Sequence, residues 1–400
     1  MVYNYLRDFN LSEEEMQVAL RKLKQLDPWI ALPYITLCII GVIMVYSASA
    51  GIQMQNGGSP TGYLIKQSIF AVIGVAIALF VALMRLSILR NSKVLKGFFV
   101  VLLVMLLYVK IFGAAVNGAQ GWINVGFFSI QPAEIAKFFL VVYLANQFAH
   151  YNERQEAYSL TKAGYPITVA AGLLFLIFIQ PDFGGFAING AIVVVMFLGS
   201  EINWRKGVWI LLTSLGLLIV GLPLIAKFVV AHFHGYQVNR FVAYINPFAN
   251  NNGVGNQLVN SYYAISNGGL TGVGLGNSIQ KMGYLPEPNT DFILAIISEE
   301  LGWLMVAFIL VLIMIIVCRT IQIGVKVDSL YQALLCYGVA TFIAVETFFN
   351  IGGVSGLLPI TGVTLPFISY GGSSMVVLSA AIGLVLNVSR HYKRAHGLMK

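Results

Sequence analysis

The sequence predicts an all-α, polytopic membrane protein with ten transmembrane helices, a large structured extracellular loop and both termini in the cytoplasm. Three observations carry this reading. The 400 residues are 58% hydrophobic and only 10% charged, whereas soluble domains are about a quarter charged. Ten apolar runs approach the roughly 20 residues needed to cross a bilayer. Basic residues also gather on one side of those runs. Of 24 Lys and Arg, only Lys66, Arg240 and Lys281 fall in the opposite loops and Lys110, Lys137 and Lys227 inside runs; the other 18 mark the cytoplasmic face. Membrane topology and an anionic inner leaflet account for the net charge of +8, so nucleic acid is not expected as a partner.

A cytoplasmic tail, residues 1–28, precedes the membrane domain, 29–389. Ser12 and Glu15 form a capping-box pattern there, and Met16, Leu20 and Leu23 recur at helical spacing, which predicts a short amphipathic helix. That helix suits either the membrane surface or a cytoplasmic partner. The tail lacks the basic region and apolar core of a cleavable signal, so the first span is expected to stay. The predicted spans are Trp29–Ser49, Gln67–Met84, Gly97–Val116, Pro132–His150, Ala163–Gln180, Phe183–Ile202, Gly207–Val230, Asp291–Cys318, Tyr331–Asn350 and Ser373–Ser389. A second cytoplasmic tail covers 390–400. Cys38, Cys318 and Cys336 have neither disulfide nor metal spacing, and neither is expected.

Of the 16 acids, seven fall in outer loops or within spans on this topology: Glu134, Asp182, Glu287, Asp291, Glu299, Glu300 and Glu346. Ionisable groups at membrane depth are costly enough to mark function by default. Four spans that run inward open with distinctive phrases: Gln131-Pro132-Ala133-Glu134, Gln180-Pro181-Asp182, Pro286-Glu287-Pro288-Asn289-Thr290-Asp291 and Ser369-Tyr370-Gly371-Gly372-Ser373-Ser374. Helix starts of this kind offer unpaired N–H groups and positive potential at the outer surface. Pro followed by an acid is also ordinary helix-start chemistry, and that alternative stays open for Glu134 and Asp182. Glu134 and Lys137, three apart, fit an intramembrane pair.

The loop 231–290 is too long to be a bare connection. Its aromatics, asparagines and glycines predict order, and it holds Arg240 and Lys281. Gly272-Val273-Gly274-Leu275-Gly276 lacks the strand and the third correctly spaced glycine of a nucleotide loop. Pro359 and Pro366 break the segment 351–372, which reads as re-entrant or lid-like. Together these features describe an outward-facing cavity lined with carboxylates and positive potential, suited to a phosphate-bearing lipid head group.

These phrases resemble the SEDS family (shape, elongation, division and sporulation) of membrane glycosyltransferases. Tyr46-Ser47-Ala48-Ser49, Asn117-Gly118-Ala119, Trp122-Ile123, Asn239-Arg240, Gly274-Leu275-Gly276-Asn277-Ser278, Thr290-Asp291-Phe292-Ile293, Glu299-Glu300-Leu301-Gly302 and Leu365-Pro366-Phe367-Ile368 extend the match across the membrane region. Met44–Ser49 and Tyr284–Asp291 favour a division-type member. One departure stands out: Gln120-Gly121 precedes Trp122, where the family usually has a basic residue.

The resemblance implies polymerisation of lipid II into peptidoglycan strands at the outer face of the bacterial cytoplasmic membrane. It also implies contact with the lipid-linked glycan chain, a class B penicillin-binding protein transpeptidase, other divisome or elongasome membrane proteins, and membrane lipids. Asp291 becomes the expected base of an inverting displacement. The helix start should lower its pKa, while burial and Glu287 should raise it. Arg240, Lys281 and Ser373 are assigned to the pyrophosphate, and Glu134, Lys137, Asp182, Glu299 and Trp122 to supporting the cavity. A divalent metal, Mg or Mn, suits the chemistry, although no ligand spacing points to one. The alternatives are a lipid II flippase or transporter, and a scaffold of the cell-wall machinery without catalysis.

Overall fold

The computed structural model describes residues 25–397 apart from 117–118, 127, 154–159, 250–252 and all but scattered positions of 201–235. The predicted N-terminal amphipathic helix, the span Gly207–Val230 and the Asn117-Gly118 pair lie wholly or mostly outside the described residues. The other nine runs are helical: α1 (Pro28–Gln55), α2 (Gly62–Leu83), α3 (Ser92–Phe112), α4 (Pro132–Glu153), α5 (Leu160–Phe178), α6 (Phe183–Leu198), then, after two helices of the long loop, α9 (Ile293–Lys326), α10 (Leu330–Ser355) and α11 (Gly372–Ala395). Six of these, α1 to α3 and α9 to α11, are long and apolar enough to cross a membrane. The chain is a multi-pass membrane protein. The long loop supplies α7 (Tyr236–Ile245) and α8 (Val254–Gly268).

Local chemistry sets the helix ends. Asp27 caps α1, accepting from the Trp29 N–H at 3.1 Å, with Pro28 at the first position. At that end of the bundle Asp27 also takes Arg319 Nη2 at 2.8 Å and the Ser389 hydroxyl at 3.2 Å, tying α1 to α9 and α11. α3 stops at Phe112, short of the predicted Val116, because the chain turns extended at Gly113. It enters a small antiparallel sheet, β1 (Ala114–Val116), β2 (Ala119–Val125) and β3 (Phe128–Ile130), in the order β1-β2-β3. The all-α expectation therefore needs this amendment. α9 begins two residues after Asp291, not at it, and bends at Gly302, whose φ of 75° is a glycine conformation. α10 runs on to Ser355, past the predicted Asn350, and ends on Gly356 in the left-handed region.

α4 is the centre of the assembly. Its first turns carry the buried pair Glu134–Lys137, and most of it is enclosed by α3, α6, α10 and α11. Small residues allow α2 and α11 to pack closely: a Cβ on Gly383 would stand 2.6 Å from the Ala78 carbonyl oxygen, and one on Gly74 2.5 Å from Ser379 Oγ. The sheet, the first turns of α4, α6, α9 and α11, and the non-helical segment 357–371 converge at one end of the bundle. The functional candidates lie there.

Candidate active site

Asp291 is held by its backbone before its side chain is considered. Asn350 of α10 donates to the Asp291 carbonyl and to that of Val363, each at 2.8 Å. The Ser369 hydroxyl donates to the Thr290 carbonyl at 2.6 Å and accepts from the Leu365 N–H at 2.8 Å. The Tyr370 N–H reaches the Asn289 carbonyl at 2.8 Å. The turn before α9 is thereby locked to α10 and to the segment 357–371, an arrangement that fixes a reacting group in place.

The side chain faces a cleft of about 200 Å³, whose lining includes Trp122, Asp182, Arg240, Glu287 and Tyr370. The Thr290 hydroxyl stands 3.0 Å from Asp291 Oδ1 and 3.2 Å from Glu287 Oε2, so one proton serves two carboxylates. Arg240, from α7, donates Nη1 to the Thr361 carbonyl at 3.3 Å. Gly362 (φ 75°) lies between the charges: a Cβ there would sit 3.9 Å from Arg240 Nη2 and 4.0 Å from Asp291 Oδ2. Burial, and next the charge of Glu287, push the Asp291 carboxyl up to about 6, against the pull of Thr290 and Arg240. Burial thus prevails over the influences that lower it.

A smaller annex of about 50 Å³ adjoins the cleft, sharing Trp122, Gln131, Asp182 and Thr364 with it. Lys137 lies there, paired with Glu134 at 2.6 Å and with Glu346 of α10 at 3.2 Å, over the Phe342 ring. Thr364 donates to Glu346 at 3.1 Å. The expected Glu134–Lys137 pair is therefore one side of a buried triad. Asp182 caps α6 through the Gly185 N–H at 2.7 Å and accepts from Gln131 Nε2 at 3.2 Å. Trp122 reaches the cleft from β2. Trp122 and Asp182 line both cavities, whereas Glu134 and Lys137 line the annex.

Three other assignments need correction, because their polar atoms are committed elsewhere and none lines the cleft. Lys281, assigned to the pyrophosphate, is buried with Nζ 2.5 Å from Glu300 Oε1 and 3.1 Å from Ser47 Oγ of α1. Ser373, also assigned to the phosphates, donates to the Ser129 carbonyl at 2.9 Å and accepts from the Gln131 N–H at 3.1 Å, so it stitches α11 to β3. Glu299, expected at the cavity, instead holds the loop after α8. It accepts from the Ser278 hydroxyl, from Asn267 Nδ2 at 3.0 Å and from the N–H groups of Ile279 and Gln280 at 3.2 and 3.3 Å. Glu346 had no assigned role. Its signal was a lone acid in an apolar run, and its partner, on α4, is remote in sequence.

Among the described residues no three His, Cys, Asp or Glu side chains group as metal ligands. Glu287 and Asp291 are the carboxylates that would hold a divalent ion beside a bound pyrophosphate.

Comparison with known proteins shows the family. Residues 29–394 match the family described as cell cycle proteins of the FtsW, RodA and SpoVE type. The probable peptidoglycan glycosyltransferase FtsW of Bacillus subtilis (strain 168) is 37% identical over 384 residues, 95% of this chain and 94% of its own length. Stage V sporulation protein E of the same bacterium is 38% identical over 377 residues, 92% of this chain and 98% of its own. A chain in a solved peptidoglycan synthase complex, described as coordinating polymerization and crosslinking, shares the fold with a TM-score of 0.73 at 24% identity, over 92% of this chain and 98% of that one. From end to end of its membrane region, the chain belongs to the cell cycle protein family of FtsW, RodA and SpoVE.

Proposed function

We propose that this protein is a peptidoglycan glycosyltransferase that joins lipid II units into glycan strands at the outer face of the cytoplasmic membrane. The observation that carries the reading is the placement of Asp291 and Arg240 on either side of Gly362 in one cleft. A sugar hydroxyl of one lipid-linked saccharide attacks the anomeric carbon of another. Its proton passes to Asp291, a C–O bond forms, and the bond to the lipid pyrophosphate breaks with inversion, the electron pair leaving on the phosphate. Arg240 meets the charge that develops there. A carboxylate poised at about 6 is deprotonated near neutrality yet basic enough to take a proton.

The outer location rests on the Lys and Arg asymmetry. The names of the FtsW relatives support the activity. A class B penicillin-binding protein is the proposed partner, in keeping with the synthase complex that contains the structural relative. The division-type reading is the one we favour. A carrier would need its backbone breaks near mid-membrane. The breaks described here, at Gly302 and in 357–371, lie at the site's end, which favours an enzyme. The test is polymerisation of lipid II by the purified protein, alone and with its transpeptidase. Polymer from the native chain supports the proposal, and none from either preparation would return the carrier and the scaffold to first place.

A further inference from the structure

Substrate and product pose a problem that Arg240 does not solve. On the glycosyltransferase reading, on which this inference rests, the lipid pyrophosphate belongs both to the saccharide lipid that enters and to the spent lipid that leaves. A guanidinium that holds the pyrophosphate holds both, and a group with equal affinity for two ligands selects neither. The difference between the two lipids is the saccharide. Preference for the substrate therefore requires a surface in the cleft that binds a sugar ring.

A pyranose ring presents faces of weakly positive C–H groups, and these suit the negative face of an aromatic ring. Among the described residues, the aromatic side chains that line the cleft are Trp122 and Tyr370. Tyr370 is bonded to the turn that carries Asp291: its N–H donates to the Asn289 carbonyl at 2.8 Å, two residues before the base. From α2, Gln67 donates Nε2 to the carbonyl of the preceding residue, Ser369, at 3.3 Å. Two residues beyond Tyr370, Gly372 lies so close to α2 that a Cβ there would stand 2.6 Å from Phe70 Cζ. The backbone of Tyr370 is thus fixed between the Asp291 turn and α2.

Its ring is braced as well. Tyr63, in the first turn of α2, meets it edge to face, with centroids 4.7 Å apart and planes at 89°. That contact covers at most one face of the Tyr370 ring. Both rings are half-buried. We propose that Tyr370, braced by Tyr63, is the platform on which the sugar ring of a lipid-linked saccharide stacks beside Asp291, and that this contact makes the site prefer substrate to spent lipid pyrophosphate. The labour is then divided. Arg240, which approaches Asp291 across Gly362, meets the phosphate, and Tyr370, tied to the same turn through Asn289, meets the sugar. Transfer of the saccharide removes the platform contact and loosens the spent lipid.

The test measures equilibrium binding by full-length protein in nanodiscs, with two probes: undecaprenyl pyrophosphate, and the same lipid carrying the disaccharide without its peptide. The native chain should bind the saccharide lipid several-fold more tightly. Tyr370→Leu should weaken the saccharide lipid to the level of the bare pyrophosphate lipid and leave the latter unchanged, whereas Tyr370→Phe, which keeps the ring, should restore the preference. Equal weakening of both lipids would mean a merely structural role and would overturn the proposal. Undiminished preference in Tyr370→Leu would overturn it too, as would a Tyr370→Phe variant as weak as Tyr370→Leu. If Tyr370→Leu fails to fold, Tyr63→Leu, which removes the brace, is read in its place and should show the same selective loss to a smaller extent. Polymer yield from the native chain separates this inference from the reading beneath it. A selective loss without any polymer would keep the platform and remove the activity, and polymer with an undiminished preference in Tyr370→Leu would do the reverse.

Discussion

Two carboxylate pairs, Glu287/Asp291 and Glu299/Glu300, lie 8 to 13 residues apart in sequence and have opposite fates. Glu299 and Glu300 are fully buried and saturated: hydroxyls, amides and the Lys281 ammonium occupy their oxygens. Asp291 and Glu287 are partly open to a cleft, share one threonine hydroxyl, and face Arg240 across a bare glycine. Saturation makes a carboxylate a building element. Incomplete saturation in a water-poor cleft leaves one able to accept a proton.

The contrast breaks most visibly if Asp291→Asn keeps activity. Loss of the base should lower polymerisation from lipid II by at least about 10²-fold, with the melting temperature in detergent unchanged. The reverse outcome is expected for the building pair. Lys281→Met leaves Glu300 buried and unpaired, which costs about 3–5 kcal/mol and should appear as a large drop in melting temperature. Lys137→Met should behave similarly, because it strands both Glu134 and Glu346.

The end of the bundle that holds the site was legible in the sequence, whereas the contrast between the two carboxylate pairs was not. The helix-start phrases located the converging ends because Pro, Gly and acidic residues mark first turns whatever the tertiary context. Lys281 was misread for a physical reason. A basic residue in an outer loop suggests a ligand when its partner is unseen, and Glu300 reaches it only because α9 bends at Gly302 and the loop folds back on the bend. Glu299 was misread through the same bend. The sheet escaped notice because its strands are short and rich in small residues, with no sustained alternation. Glu346 escaped because the helix that pairs with it is about two hundred residues earlier in the chain.

Smaller effects sharpen the comparison. Activity should fall as pH drops through about 6, because the base is then protonated. Glu287→Gln removes a negative charge that favours the protonated form, so the acidic limb of the pH–rate profile should move to lower pH. An unmoved limb would show that Glu287 does not act on the base. Arg240→Ala should slow polymerisation by about 10-fold or more through loss of leaving-group stabilisation. Ser373→Ala should cost only about 1 kcal/mol of stability and leave the rate near native.

The most direct measurement compares glycan polymer formed from lipid II, with the transpeptidase partner present, by the native chain, Asp291→Asn and Glu299→Gln, each at equal folded concentration. The expected result is polymer from the native chain and from folded Glu299→Gln, the latter with a lowered melting temperature, and none from Asp291→Asn. Polymer from Asp291→Asn at the native rate would contradict the assignment of Asp291 as the base.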